Sequence, residues 1–166
     1  MSIESDIARI KLQEERLRFS SFDEAAAWAL GSAMRERALK GKWPFVIDIR
    51  TGIRPLFYAA LPGSTPENPD WVRRKINTVY RFEAASYRVA LEHKHSGKPF
   101  DQTRGINPLD FAPAGGGFPI RIGSVVVGAV TVSGVPQRED HEFVVESLCA
   151  HLQVPYAEIQ LSPESL

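Results

Sequence analysis

The run Gly115-Gly116-Gly117-Phe118-Pro119-Ile120-Arg121-Ile122-Gly123, continuing through Ser124-Val125-Val126-Val127-Gly128-Ala129-Val130-Thr131-Val132-Ser133-Gly134, constrains the fold more than any other stretch. Three successive glycines leave the backbone free to adopt positive φ and to approach a neighbour closely. The apolar segments behind them, rich in β-branched residues, read as two buried strands of a hairpin. A glycine entrance is thereby attached to a core.

A second hairpin is predicted from Phe45-Val46-Ile47-Asp48-Ile49 and Leu56-Phe57-Tyr58-Ala59-Ala60, joined by a turn containing Thr51-Gly52. Pro55 places the start of its second strand at a sheet edge. Helical signals surround these hairpins. Ile3, Ile7, Ile10 and Leu17 form a narrow apolar stripe among charges, an arm over residues 1–20 that needs a partner surface. Ser21-Phe22-Asp23-Glu24 has the form of a capping box ahead of Ala25-Ala26-Ala27-Trp28, with a stop at Lys40-Gly41. Asn68-Pro69-Asp70 starts a long helix read as continuing to about His93, and Gln137 to Gln153 reads as a closing helix with Val144, Leu148 and Leu152 on one face. Segment 96–116 has no periodicity, and a loop of that length in a compact domain is usually functional. The predicted order is α-α-β-β-α-β-β-α in one domain over 1–166, an α+β fold with helices laid on an antiparallel sheet.

Twenty Lys and Arg balance twenty Asp and Glu, so no global basic field recruits nucleic acid or an anionic membrane. The lone Cys149 excludes an intramolecular disulfide and a cysteine-cluster metal site. No run approaches the ~20 apolar residues of a membrane span. The first residues lack a basic and an apolar export region, so the expected location is cytoplasmic.

Each candidate motif has two readings. The triple glycine either offers backbone N–H donors to an anion or makes a tight entry into a core strand. It lacks the lysine and the strand-to-helix setting of a nucleotide P-loop. Asp140-His141, near the start of the last helix, offers an imidazole for haem iron or a divalent metal with a carboxylate to fix its tautomer; the alternative is a capping or surface residue. His93-Lys94-His95 reads as a solvated helix end, since neighbours two apart diverge. Cys149 lies about 12 Å along the helix from His141, beyond nucleophile–base reach. Arg74, Arg81 and Arg88 recur every seven residues, a stripe that either grips carboxylates or a neighbouring subunit, or is a solvated face with local ion pairs.

The glycine entrance Gly115–Arg121, the segment Val127–Gly134 and Gln137-Arg138-Glu139-Asp140-His141 together resemble the HbpS-like, GlcG-like or PduO C-terminal family, often labelled haem-degrading domains. Trp71-Val72-Arg73-Arg74-Lys75 with Arg81-Phe82 and Ser86-Tyr87 resembles a subgroup of uncharacterised cytoplasmic members. The resemblance implies a profilin-like α+β fold, symmetric homo-oligomers and, in some relatives, haem binding. It directs the expectation to a homo-oligomeric binding protein for a small anionic or tetrapyrrole ligand, haem or a related cofactor. The expected site comprises Gly115, Gly116, Gly117, Phe118, Pro119, Ser133, Gly134, Asp140, His141, Arg74 and Arg81, with His141 as the metal ligand. Two alternatives stay open: a haem-processing or cofactor-modifying enzyme with His141 as metal ligand or general base, and a structural interaction protein whose glycines serve only the fold.

Overall fold

The computed structural model describes residues 2–100 and 105–163. Ten elements follow in chain order: α1 (Ile3–Arg16), α2 (Glu24–Gly41), β1 (Val46–Thr51), β2 (Arg54–Ala60), α3 (Glu67–Phe82), α4 (Ser86–Ser96), β3 (Gly117–Ile122), β4 (Val125–Ser133), α5 (Gln137–Leu152) and α6 (Tyr156–Ile159). The four strands form one antiparallel sheet in the order β2-β1-β4-β3. Both predicted hairpins form. Pro55 lies on β2, an edge strand, where a missing N–H does least harm.

Side-chain alternation divides the sheet between two layers. Ile47, Ile49, Phe118, Ile120, Val130 and Val132 join the main core with α2 and α5, whereas Val46 and Ala129 pack with Val72, Ile76 and Val79 of α3. The fold class is the expected α+β arrangement of an antiparallel sheet flanked by helices. Its element order differs by two helices, the short α6 and the separate α4.

The long helix read from Asn68 to His93 is broken. Glu83 ends α3 in the left-handed region at φ 50°, and the chain restarts through Ala84-Ala85 into α4. Tertiary contacts hold this break. Gly117 N–H donates to Ser86 Oγ at 2.9 Å, and Ala85 N–H donates to Glu14 Oε1 at 2.7 Å. The Glu14 carboxylate thus acts as the missing N-cap of α4, where a negative charge also suits the helix dipole.

The same contact changes the reading of the N-terminal arm. Ile10 and Leu17 are fully buried within the chain, with Ile3 and Ile7 packed against the core, so the stripe meets its partner surface in its own chain. Burial of that stripe therefore provides no argument for a second subunit. Two helix starts also shift. Asp23, not Ser21, caps α2 by accepting from Ala26 N–H at 2.8 Å, and α3 begins at Glu67 after Pro66 without a side-chain cap. Positions 101–104 of the unpatterned 96–116 segment, and Met1 of the arm, lie outside the described residues.

Candidate functional site

On α3, Val72, Lys75, Ile76 and Val79 stand at helical spacing, so the stripe that packs on the sheet carries a lysine among its apolar residues. Lys75 is 3% exposed. Its amine donates to Val132 O at 3.0 Å and to Asp140 Oδ2 at 2.9 Å. Asp140, in the first turn of α5, takes a further bond on Oδ1 from Val135 N–H at 3.0 Å. Burial pushes the Lys75 amine down and the Asp140 carboxyl up from their ordinary ranges, while their mutual attraction opposes both shifts.

This pair forms part of the wall of a cavity of about 400 Å³ between α3, α5 and the end of β4. Asn68 and Trp71 extend the α3 side, Ser133, Gly134 and Val135 the strand end, and Gln137 the α5 side. Ala114 reaches it from the loop ahead of β3, and that loop is laced to α3. Ala112 N–H donates to Arg74 O, Thr78 Oγ1 to Ala112 O, and Asn77 Nδ2 to Asp110 O. Asn68 Nδ2 donates to Ser133 Oγ at 3.2 Å, joining the two rims. The walls of the cavity are therefore tied together by hydrogen bonds and hold a charged pair.

Gly116 connects the glycine entrance to this site from behind. Its φ is +129°, and a Cβ there would meet Val132 O and would stand 2.8 Å from the Lys75 amine. The missing side chain is the space into which Lys75 fits. Gly115 and Gly117 are likewise closed by Gln137 O and the Val79 side chain. These glycines make close backbone packing and do not line the cavity. Phe118 and Pro119 are buried strand residues outside it.

Of the expected site residues, Ser133, Gly134 and Asp140 come together at the cavity. His141 does not. Successive helical residues point about 100° apart, so with Asp140 turned to the cavity, His141 turns into the core. It is fully buried between Tyr87 and Phe118, with Nε2 2.8 Å from Gln13 Oε1. Gln13 Nε2 donates to Ile159 O, which fixes the amide oxygen as the acceptor and Nε2 of His141 as the protonated nitrogen. Burial, followed by the Arg138 charge, lowers its pKa to about 3. The metal assignment of His141 is thus corrected to a neutral core imidazole.

The arginine stripe also separates. Arg74 stacks on Trp71 at 4.5 Å and donates to Pro108 O, while Arg88 lies on α4 with its guanidinium 2.8 Å from Glu14. Neither Arg74 nor Arg81 lines the cavity. Cys149 is buried and its thiol is pushed up to about 11, the opposite of an activated nucleophile.

The iron of haem, the group implied by the family resemblance, finds no ligand among the donors at this site. The chain has four histidines: His93 and His95 end α4, His141 lies in the core and His151 ends α5, so none lines the cavity. Among the described residues, no group of three His, Cys, Asp or Glu is placed to hold a metal ion. Lys75 escaped the sequence reading of the site. The signal for it was present, because a cation at an apolar position of an amphipathic helix requires a buried partner.

A family model described as haem degrading protein HbpS-like matches residues 22–149. A UPF0303 protein of Mesorhizobium japonicum is 47% identical over 166 residues, covering 99% of each chain. Among solved structures, the Ybr137w protein superposes with a TM-score of 0.80 at 26% identity, over 89% of this chain and 87% of its own. The complex of PduOC with haem gives 0.64 at 17% identity, over 79% and 93% respectively, a likeness of fold.

Proposed function

The chain belongs to the HbpS-like family of haem degrading proteins, and from that premise we propose that it is a binding protein whose cavity between α3 and α5 takes a small anionic ligand. The observation that carries this reading is the convergence of the uncapped start of α5 and a buried lysine on one cavity. Neither α3 nor α5 has a side-chain N-cap, and both contribute first-turn residues to the wall. The start of α5 presents the N–H groups of Gln137, Arg138 and Glu139 without a side-chain cap, together with about half a positive charge. At the start of α3, Asn68 N–H donates to Thr65 O and Pro69 has no N–H, so that helix contributes its dipole and few free donors. Asp140 offsets the Lys75 charge, and Glu67 at the exposed rim adds a negative one. The balance favours a ligand with a single carboxylate over a polyanion. Trp71 adds a flat apolar face, and the volume suits a small molecule.

Haem is the second reading, supported by the family description and by the haem complex of a protein of the same fold. No histidine stands in the cavity, so propionates, not iron, are the part of haem that its donors suit. A homo-oligomeric, cytoplasmic protein remains part of the proposal. Among the described residues no helix is long and apolar enough to cross a membrane.

Calorimetric titration with lactate tests the first reading. Saturable one-site binding is expected, abolished in Ala114→Leu, which fills the cavity, and weakened roughly fivefold, about 1 kcal/mol, in Trp71→Ala. Equal affinity in Ala114→Leu, or no binding of lactate, succinate or benzoate, overturns it. A haem titration followed at the Soret band decides the second: saturation that lactate competes away supports haem in this cavity, and an unsaturated response removes it.

A further inference from the structure

We propose that Lys75 is a carbonyl-reactive amine and that the cavity forms an imine between it and a small 2-oxo acid. The inference rests on the reading of the cavity as a carboxylate site. The first ground is placement. Lys75 reaches through the apolar stripe of α3, is held by Val132 O and Asp140 Oδ2, and fits against the bare Cα of Gly116. A buried ion pair contributes little net stability compared with well-packed apolar residues, so scaffolding alone gives this one no clear advantage. It also forms part of a cavity wall.

The second ground is reach. Gln137 and Asp140 are one turn apart on α5, about 4.5 Å along the axis, and Asp140 is 2.9 Å from Lys75 Nζ. A carboxylate held at the start of α5 lies within about one helical turn of the residue that holds the amine, in the same cavity, which suits a ligand whose carbonyl is adjacent to its carboxylate. The third ground is proton inventory. Burial pushes the amine and the carboxyl toward their neutral forms, so the proton that must leave Lys75 has a receiver at hydrogen-bond distance.

The atoms balance without a further reactant. The neutral Lys75 nitrogen attacks the carbonyl carbon with its lone pair, the carbonyl π pair moves to oxygen, and Asp140 protonates that oxygen. The nitrogen, now positively charged, returns one proton to Asp140. Asp140 then gives it to the hydroxyl, which leaves as water with the C–O bonding pair while the nitrogen lone pair closes C=N. The product is an iminium beside a carboxylate, the same charge pattern as the resting ion pair.

Incubation of the full chain with pyruvate and sodium cyanoborohydride, followed by intact-mass measurement and peptide mapping, tests this. One adduct per chain is expected, equal to pyruvate less one oxygen, on the peptide containing Lys75 and formed at least tenfold faster than on any exposed lysine. Lactate should slow it by occupying the same site. Asp140→Asn, if folded by circular dichroism, should slow it at least tenfold, and mapping of the wild type holds even if that variant is unstable. If lactate binds in calorimetry but pyruvate labels only exposed lysines, the imine is overturned while the anion reading stands. Labelling of Lys75 without any binding of lactate supports the reactive amine and removes the anion reading instead.

Discussion

Asp140 and His141 are adjacent in sequence and face different surroundings, one toward a cavity and one toward the core. For His141 the consequence is a dependence of stability on acid. Its folded-state pKa is about 3 against an ordinary 6.5, so below 6.5 the unfolded chain takes up a proton that the folded chain refuses. Stability contributed by the neutral imidazole is full above 6.5 and falls by about 1.4 kcal/mol per unit as the pH drops toward 3. Chemical denaturation of wild type and His141→Leu between pH 7 and pH 4 should show the variant losing less stability on acidification, by nearly one proton's slope; parallel curves would contradict the burial. At Gly116, valine brings both a φ of +129° and a clash with Val132 O and the Lys75 amine. Gly116→Val should therefore destabilise by at least about 1–3 kcal/mol, read from the urea midpoint, and an unchanged midpoint would remove the close-approach argument. The glycine signal was legible because the residue type itself reports a backbone demand. The fate of His141 was not, since it depends on Gln13, 128 positions away.

Helix α1 is where local pattern and tertiary structure diverge most in consequence. Its Ile10 and its C-cap Leu17 are buried, Glu14 caps α4, and Gln13 bridges His141 to Ile159 O. Deleting residues 1–18 should therefore abolish cooperative thermal unfolding of the chain itself, where a free arm would leave the remaining domain intact. A sharp transition in the truncated protein, near the wild-type midpoint, would restore the free-arm reading. The hairpins were legible to within a few residues because alternation and turn residues are local signals. The break between α3 and α4 had no such mark: Arg81-Phe82-Glu83-Ala84-Ala85-Ser86 contains neither glycine nor proline. Contacts from β3 and α1 impose it, and they also separate Arg88 from Arg74 and Arg81.

For the whole molecule, the α+β class could be read from the order of local patterns, but the strand order and the α3–α5 cavity arise from pairings distant in sequence. Lys75 and Asp140 are 65 residues apart, which is why the cavity residues Ser133, Gly134 and Asp140 were anticipated without the lysine they accompany. Oligomerisation needs a surface other than the α1 stripe. Edge strand β2 with Tyr58, the β1–β2 turn with Ile53, and Trp28 of α2 expose large apolar side chains, at 51%, 93% and 64% respectively. Sedimentation at micromolar concentration should give at least twice the chain mass, and Trp28→Lys with Tyr58→Lys should reduce it; a monomeric wild type would contradict assembly. The central claim, that the cavity beside Lys75 and Asp140 is the ligand site, is tested most directly by nitrogen-15 correlation spectra recorded during a lactate titration. The largest saturable shifts are expected at Asn68, Gln137 and the Trp71 indole, with His141 and Gln13 nearly unmoved; shifts centred on His141, or no saturable shift around the cavity, would contradict it.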